Sequence, residues 1–156
     1  MLAEAIELCR AQKLQVFLAL ALALDALRRI VCGELEDGCA AMEESLTVFT
    51  ATGAELFLPA WFGAMAQAVF ACGDAPRARE LLADARARSE RTEERWCLAE
   101  LGRIEAQFAA AAGETTRAHE ALAEAARLAE SQQAEAWQTR IAATQAEVSA
   151  VHGEAR

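Results

Sequence analysis

Twenty-four carboxylates, fifteen basic side chains, two histidines and five cysteines are the residues of this chain that could do chemistry. Paired carboxylates perform acid–base work when an apolar pocket raises the pKa of one of them. Here the acids alternate with arginine, as in Asp84–Arg88 and Arg86–Glu90 at i, i+4. That spacing puts opposite charges on one solvated helix face, and no pocket is legible around them. His119 and His152 are read as surface or capping residues, and His152 near a helix end suits the dipole there. Cysteine and histidine do not fall at zinc-ligand spacing. The cysteines are odd in number, contain no C-x-x-C pair and read as small buried hydrophobes in a reducing, cytoplasmic setting. The phosphate cradle G-x-x-x-x-G-K-S/T, the dinucleotide fingerprint G-x-G-x-x-G, the zinc motif H-E-x-x-H and the nucleophile elbow G-x-S-x-G are all missing. The expectation is no catalytic residue, no metal, no cofactor and no enzymatic activity.

The elements that position these residues follow a ladder. Gly33, Gly73, Gly113 and Gly153 stand 40 residues apart, each followed by an acid: Glu34, Asp74, Glu114 and Glu154. Seven residues before each sits Ala26, Ala66, Ala106 or Ala146. Small residues recur five places after the first three glycines (Gly38, Ala78, Ala118) and again at twelve (Ser45, Ala85, Ala125), with Met42, Leu82 and Leu122 at nine. Intervals of four and three put these positions on one helix face. A fixed period of this size is the mark of a repeat array. Each unit reads as helix A, a glycine turn and helix B, with glycine past the end of helix A because it takes the left-handed conformation without a Cβ penalty.

Composition agrees. Hydrophobic residues make up 54% of the chain, tyrosine is absent and there are two prolines, which favours helix over sheet. The net charge of −9 argues against direct nucleic-acid or anionic-membrane binding. Glu4 and Glu7 interrupt any signal peptide, and the apolar run Val16 to Leu24 is too short to span a bilayer.

In chain order, residues 1–12 read as the rest of a helix B. Helix A then spans about Leu14 to Cys32 and helix B Leu35 to Thr52, stopping at Gly53. The next pair runs from Pro59 to Cys72, and from Asp74 as N-cap with Pro76 in the first turn to about Arg91. A third pair covers Glu94 to Ala112 and Thr115 to Gln132, and a last helix A runs from Ala134 to His152. The expected fold is all-α: eight helices in antiparallel pairs forming one domain, residues 1–156, wound as a right-handed superhelical solenoid. Trp61, Trp96 and Trp137 are expected to pack between repeats with their N–H groups at the rim. The terminal helices lack partners, so apolar surface on Met1 to Ala11 and Leu14 to Leu27 predicts a homodimer.

The pattern of small, large and small residues in helix B, with alanine at the tight point of helix A, resembles the tetratricopeptide repeat in a 40-residue variant. Gly33-Glu-Leu-Glu-Asp-Gly38, Thr52-Gly-Ala-Glu55, Trp96-Cys-Leu-Ala-Glu-Leu-Gly-Arg103 and Ala134-Glu-Ala-Trp-Gln-Thr-Arg140 resemble the C-terminal helical region of large bacterial signalling proteins. Those join an ATPase module to an adenylate or guanylate cyclase domain or to a DNA-binding transcription-activator domain. No ATPase or cyclase motif stands in this chain.

The resemblance implies that the A helices line a concave groove. Its positions would be Leu20, Ala23 and Leu27, then Ala60, Gly63 and Gln67, then Glu100, Arg103 and Gln107, and finally Arg140, Ala143 and Glu147. Gln67, Glu100, Arg103, Gln107, Arg140 and Glu147 are therefore the candidate partner-binding residues. Arg103 and Arg140 could grip a partner carboxylate through forked donors. Alternatively they pair with Glu100, Glu135 or Glu147 and keep the groove soluble. As surface residues their substitution should barely affect folding. The implied function is a non-enzymatic scaffold or regulatory module that binds a protein, a peptide or other domains of its own chain. The alternative is a small-ligand sensor.

Overall fold

A computed structural model describes the backbone of residues 2–154 and side chains as far as residue 150. Eight helices and no strand occur among the described residues: α1 (Leu2–Ala11), α2 (Gln15–Val31), α3 (Leu35–Ala51), α4 (Leu58–Ala71), α5 (Ala75–Thr92), α6 (Leu98–Ala111), α7 (Thr115–Ser131) and α8 (Glu135–Glu154). The chain divides into two compact units, Met1–Leu81 and Leu82–Arg156, with the division inside α5. No helix among the described residues is long and apolar enough to cross a membrane.

The glycine ladder ends the A helices as its chemistry requires. Gly33, Gly73 and Gly113 all have positive φ. After α2, the Gly33 N–H donates to Ile30 O and the Glu34 N–H to Arg29 O; Asp74 to Val69 O and Glu114 to Ala109 O repeat the second bond. This is the paired-bond cap that satisfies the last carbonyls of a helix. Asp74 caps α5 through its carboxylate, which accepts from the Arg77 N–H at 3.1 Å.

A second ladder closes the B helices, and the sequence hides it. Lys13, Gly53, Glu93 and Gln133, again 40 apart, all have positive φ. Only one of the four is glycine, so composition did not mark the series. This left-handed turn also corrects the start of α6. The helix expected from Glu94 begins at Leu98, because Glu93 turns the chain and the Glu94 N–H returns to Ser89 O at 3.1 Å. Gly153 is a further correction: α8 continues through it to Glu154. The His152 side chain, read above as a cap, lies outside the described side chains, as does Met1.

In the first unit α2 and α3 pack antiparallel. The Ser45 hydroxyl donates to Ala19 O at 2.8 Å, and Gly38 sits so close to α2 that a Cβ there would meet Ile30 Cγ1 at 2.7 Å. Ile6, Cys9, Leu18, Ala21 and Leu22 form a core between α1 and α2. In the second unit α6 and α7 are likewise antiparallel, with Gly102 against Ala125. Ala106, Leu122, Ala125, Ala129, Ile141 and Val148 share one core. Ala26, Ala66 and Ala106 have no exposed surface, whereas Ala146 on the last helix is exposed. Met42, Leu82 and Leu122 are all buried, each removing enough apolar surface to contribute about 1.5–3 kcal/mol.

Candidate functional site

Within the second unit, α6 and α8 lie side by side and run the same way, so residues about 40 apart meet. Glu100 stands in the first turn of α6, where a carboxylate suits the positive end of the helix dipole. One turn later, Arg103 folds back on it: Nε donates to Oε2 at 2.8 Å and Nη2 to Oε1 at 2.7 Å. The same Oε1 receives Arg140 Nη2 from α8 at 2.8 Å. Glu100 thus sits between two guanidinium groups. Arg103 also donates through Nη1 to the buried Thr144 hydroxyl at 3.2 Å.

Burial separates the two arginines. The Arg103 side chain is 3% exposed and that of Glu100 13%, while Arg140 is 51% exposed. Arg103 occupies the same repeat position as Ala23 and Gly63, which are buried too. At these three places the position expected on a groove wall packs inward, whereas its equivalent on α8, Ala143, is exposed. The reason is helical geometry: three residues from Glu100, the side chain of Arg103 points across α6 toward α8 rather than away from it. Arg103 is therefore committed to internal contacts, and Arg140 presents the accessible guanidinium of the trio.

Arg140 rests 5.8 Å from the centre of the Trp137 ring, within cation–π range. Trp137 stacks on Trp96 with ring centroids 6.5 Å apart, and its Nε1 donates to Trp96 O at 3.2 Å. Trp96 Nε1 in turn donates to Glu94 Oε1 at 2.6 Å. Both indole N–H groups are bonded, as expected, but Trp96 is exposed and Trp137 only half-buried. In the first unit Trp61 is buried, edge-on to Phe49 at 4.9 Å.

Of the remaining candidates, Gln107 is half-buried one turn beyond Arg103, and Glu147 is exposed on α8. Gln67 lies half-buried on α4 of the first unit. The structure thus gathers Glu100, Arg103 and Arg140 into one cluster and adds Thr144 and Trp137, which the sequence reading did not assign to it. The 40-residue period carries Arg103 to Ala143, one place short of Thr144, so the period alone did not mark this contact.

A second ionic cluster was also missed. Glu105 accepts from Arg86 Nη2 at 2.6 Å and Arg117 Nη2 at 3.1 Å, and Arg117 reaches Glu114 at 2.9 Å. The hydrogen bonds to Glu114 and Glu105 hold the Arg117 guanidinium even more firmly protonated than usual. Arg86, Glu105 and Arg117 line a concavity of about 420 Å³ together with Gly102, Glu120 and Glu124. Among the described residues no three of His, Cys, Asp and Glu converge as metal ligands.

Comparison of the chain with protein-family models, curated proteins and solved structures finds no match in any of the three. The functional reading therefore rests on the residues and their geometry. Chemically, the α6–α8 cluster can hold an anionic group at Arg140, in competition with Glu100. A clamp of two free guanidinium groups is not what these contacts build.

Proposed function

We propose that this chain is a non-enzymatic interaction scaffold, a tetratricopeptide-like array serving as the repeat region of a bacterial signalling or transcription-regulatory protein. The observation that carries the reading is an apolar seam on α2. Phe17, Leu24 and Val31 stand seven residues apart and are 61%, 58% and 86% exposed. Half-buried Leu20 and Leu27 fall between them. Alternating intervals of three and four are the spacing of a helix seam that expects another helix against it. Soluble chains seldom leave so continuous an apolar stripe uncovered, and such stripes mark interaction sites.

The partner this seam fits is an amphipathic helix with the same spacing, and α2 of a second copy supplies one. A two-fold axis through the middle of α2 would set stripe on stripe, as isologous interfaces do. Arg140 and Glu147 offer a separate, charged face for a polar partner. The alternative, a small-ligand sensor, would draw on the concavity around Glu105, whose volume of about 420 Å³ suits a drug-sized ligand.

Light scattering at tens of micromolar, paired with selection of helical peptides on the immobilised chain, tests the reading. The expected result is a dimer, or peptide binding, abolished by Leu24→Glu while the melting curve stays that of the parent. A strict monomer that selects no Leu24-dependent peptide, yet is stabilised by a small metabolite, would overturn the scaffold in favour of the sensor.

A further inference from the structure

We propose that Cys39 and Cys72 form a thiol–disulfide modification site, closed by a hydroperoxide and reopened by a dithiol. Four observations converge within the first unit. Cys39 is the fifth residue of α3 and Cys72 caps the end of α4, two helices that pack against each other. The first turn of α3, one turn before Cys39, lies beside Cys72, close enough for Cys72 to push the Cys39 pKa up. Cys72 is exposed, while Cys39 is half-buried behind it. Finally, Cys72 opens onto a concavity of about 480 Å³ lined by Gly33, Glu34, Leu35, Glu36 and Asp37. The oxidant therefore reaches Cys72 first, and Cys39 is already in place to answer.

By composition these cysteines are expected to be small buried hydrophobes. Cys9 and Cys97 are buried, but Cys32 and Cys72 are exposed. The correction has a local cause: both precede a left-handed glycine, and a C-cap side chain there leaves the core. Cys39 is a weak acid in this setting. Burial chiefly, then Cys72, with a smaller push from Glu43, hold Cys39 protonated up to about 11. Cys39 is thus the thiol that waits, and the exposed Cys72 is the sulfur that an oxidant meets first.

The chemistry balances in two steps. The Cys72 thiolate attacks the O–O bond of the hydroperoxide, gaining an S–OH group and releasing hydroxide or alkoxide. The Cys39 sulfur then attacks the Cys72 sulfur. The S–O bond breaks, the Cys39 proton leaves with the hydroxyl as water, and the disulfide remains. Two thiols are oxidised and one peroxide is reduced. The bridge closes a loop from residue 39 to residue 72 and ties the start of α3 to the end of α4, which restricts the unfolded chain and raises stability.

The test treats the full chain with hydrogen peroxide at neutral pH, blocks remaining thiols and cleaves after glutamate. That cleavage separates Cys32, on the piece ending at Glu34, from Cys39, between Glu36 and Glu43, and from Cys72, beyond Glu55. Mass spectrometry should find the Cys39 and Cys72 peptides joined, lighter by two hydrogens and separated again by dithiothreitol. The join should persist in Cys32→Ser. In Cys39→Ser, a sulfenic-acid trap should label Cys72 well ahead of Cys32, and the peroxide-induced rise in melting temperature should vanish. Joined Cys32 and Cys72 peptides, bridges only between chains, or equal labelling of Cys32 and Cys72 would each overturn the site.

Discussion

Arg103 folds both arms of its guanidinium onto Glu100, at 2.8 and 2.7 Å, inside the packed interface of α6 and α8. A charge pair this far from water behaves unlike one on the surface. Each member offsets the cost of having desolvated the other.

The two arginines therefore separate in their effect on stability. Arg103→Ala should cost about 3–5 kcal/mol, because it leaves Glu100 buried with one guanidinium partner fewer. Arg140→Ala, half-exposed, should cost only about 0–1 kcal/mol. This reverses the expectation, drawn for surface residues, that neither change disturbs folding. Urea melts of the two variants decide it, and equal midpoints would mean that Arg103 is not buried in solution.

Asp25 supplies a pH dependence in the first unit. The Arg29 hydrogen bond at 2.7 Å lowers its pKa, assisted by Arg28 and opposed by burial. A depressed folded pKa contributes stability that is fully present above the unfolded value of roughly 3.9. That stability is lost as pH falls below it, through the folded pKa. Melts taken from neutral pH downward should show the parent losing more stability at acid pH than Asp25→Asn. Parallel curves for the two proteins would dismiss Asp25 as a contributor.

Glu93 holds a left-handed conformation, φ 56°, where its repeat equivalent Gly53 pays no Cβ penalty. Its negative charge also sits at the unfavourable end of α5. Glu93→Gly should stabilise by about 1 kcal/mol, the cost of a left-handed non-glycine residue less the entropy that glycine adds to the unfolded chain. A lower melting temperature for the variant would show that the Glu93 side chain makes contacts that outweigh the strain.

Ala106 has no exposed surface where α6 faces the second-unit core. Ala106→Leu should overpack that core at a cost of about 1–3 kcal/mol. The same change at its exposed equivalent, Ala146→Leu, should be close to neutral. Differential scanning calorimetry of the pair checks this, and a neutral Ala106→Leu would break the link between repeat register and packing.

The sequence by itself determined what local chemistry controls. Glycine at 33, 73 and 113 ends helices because only glycine enters the left-handed region cheaply. Period-40 small residues such as Ala26, Ala66 and Ala106 mark buried helix contacts because backbones cannot approach over larger side chains. Prolines and Asp74 start helices for equally local reasons. What the tertiary structure decided are properties of pairs distant in the chain. Arg103 looked like a surface residue because its spacing says which helix face it occupies and not what covers that face; α8 covers it. The second turn series, at Lys13, Glu93 and Gln133, was invisible because packing of the flanking helices forces a conformation that these residues do not prefer. Cys39 and Cys72 looked inert for the same reason. Nothing in the spacing of 33 residues brings two sulfurs together, and only the packing of α3 on α4 does.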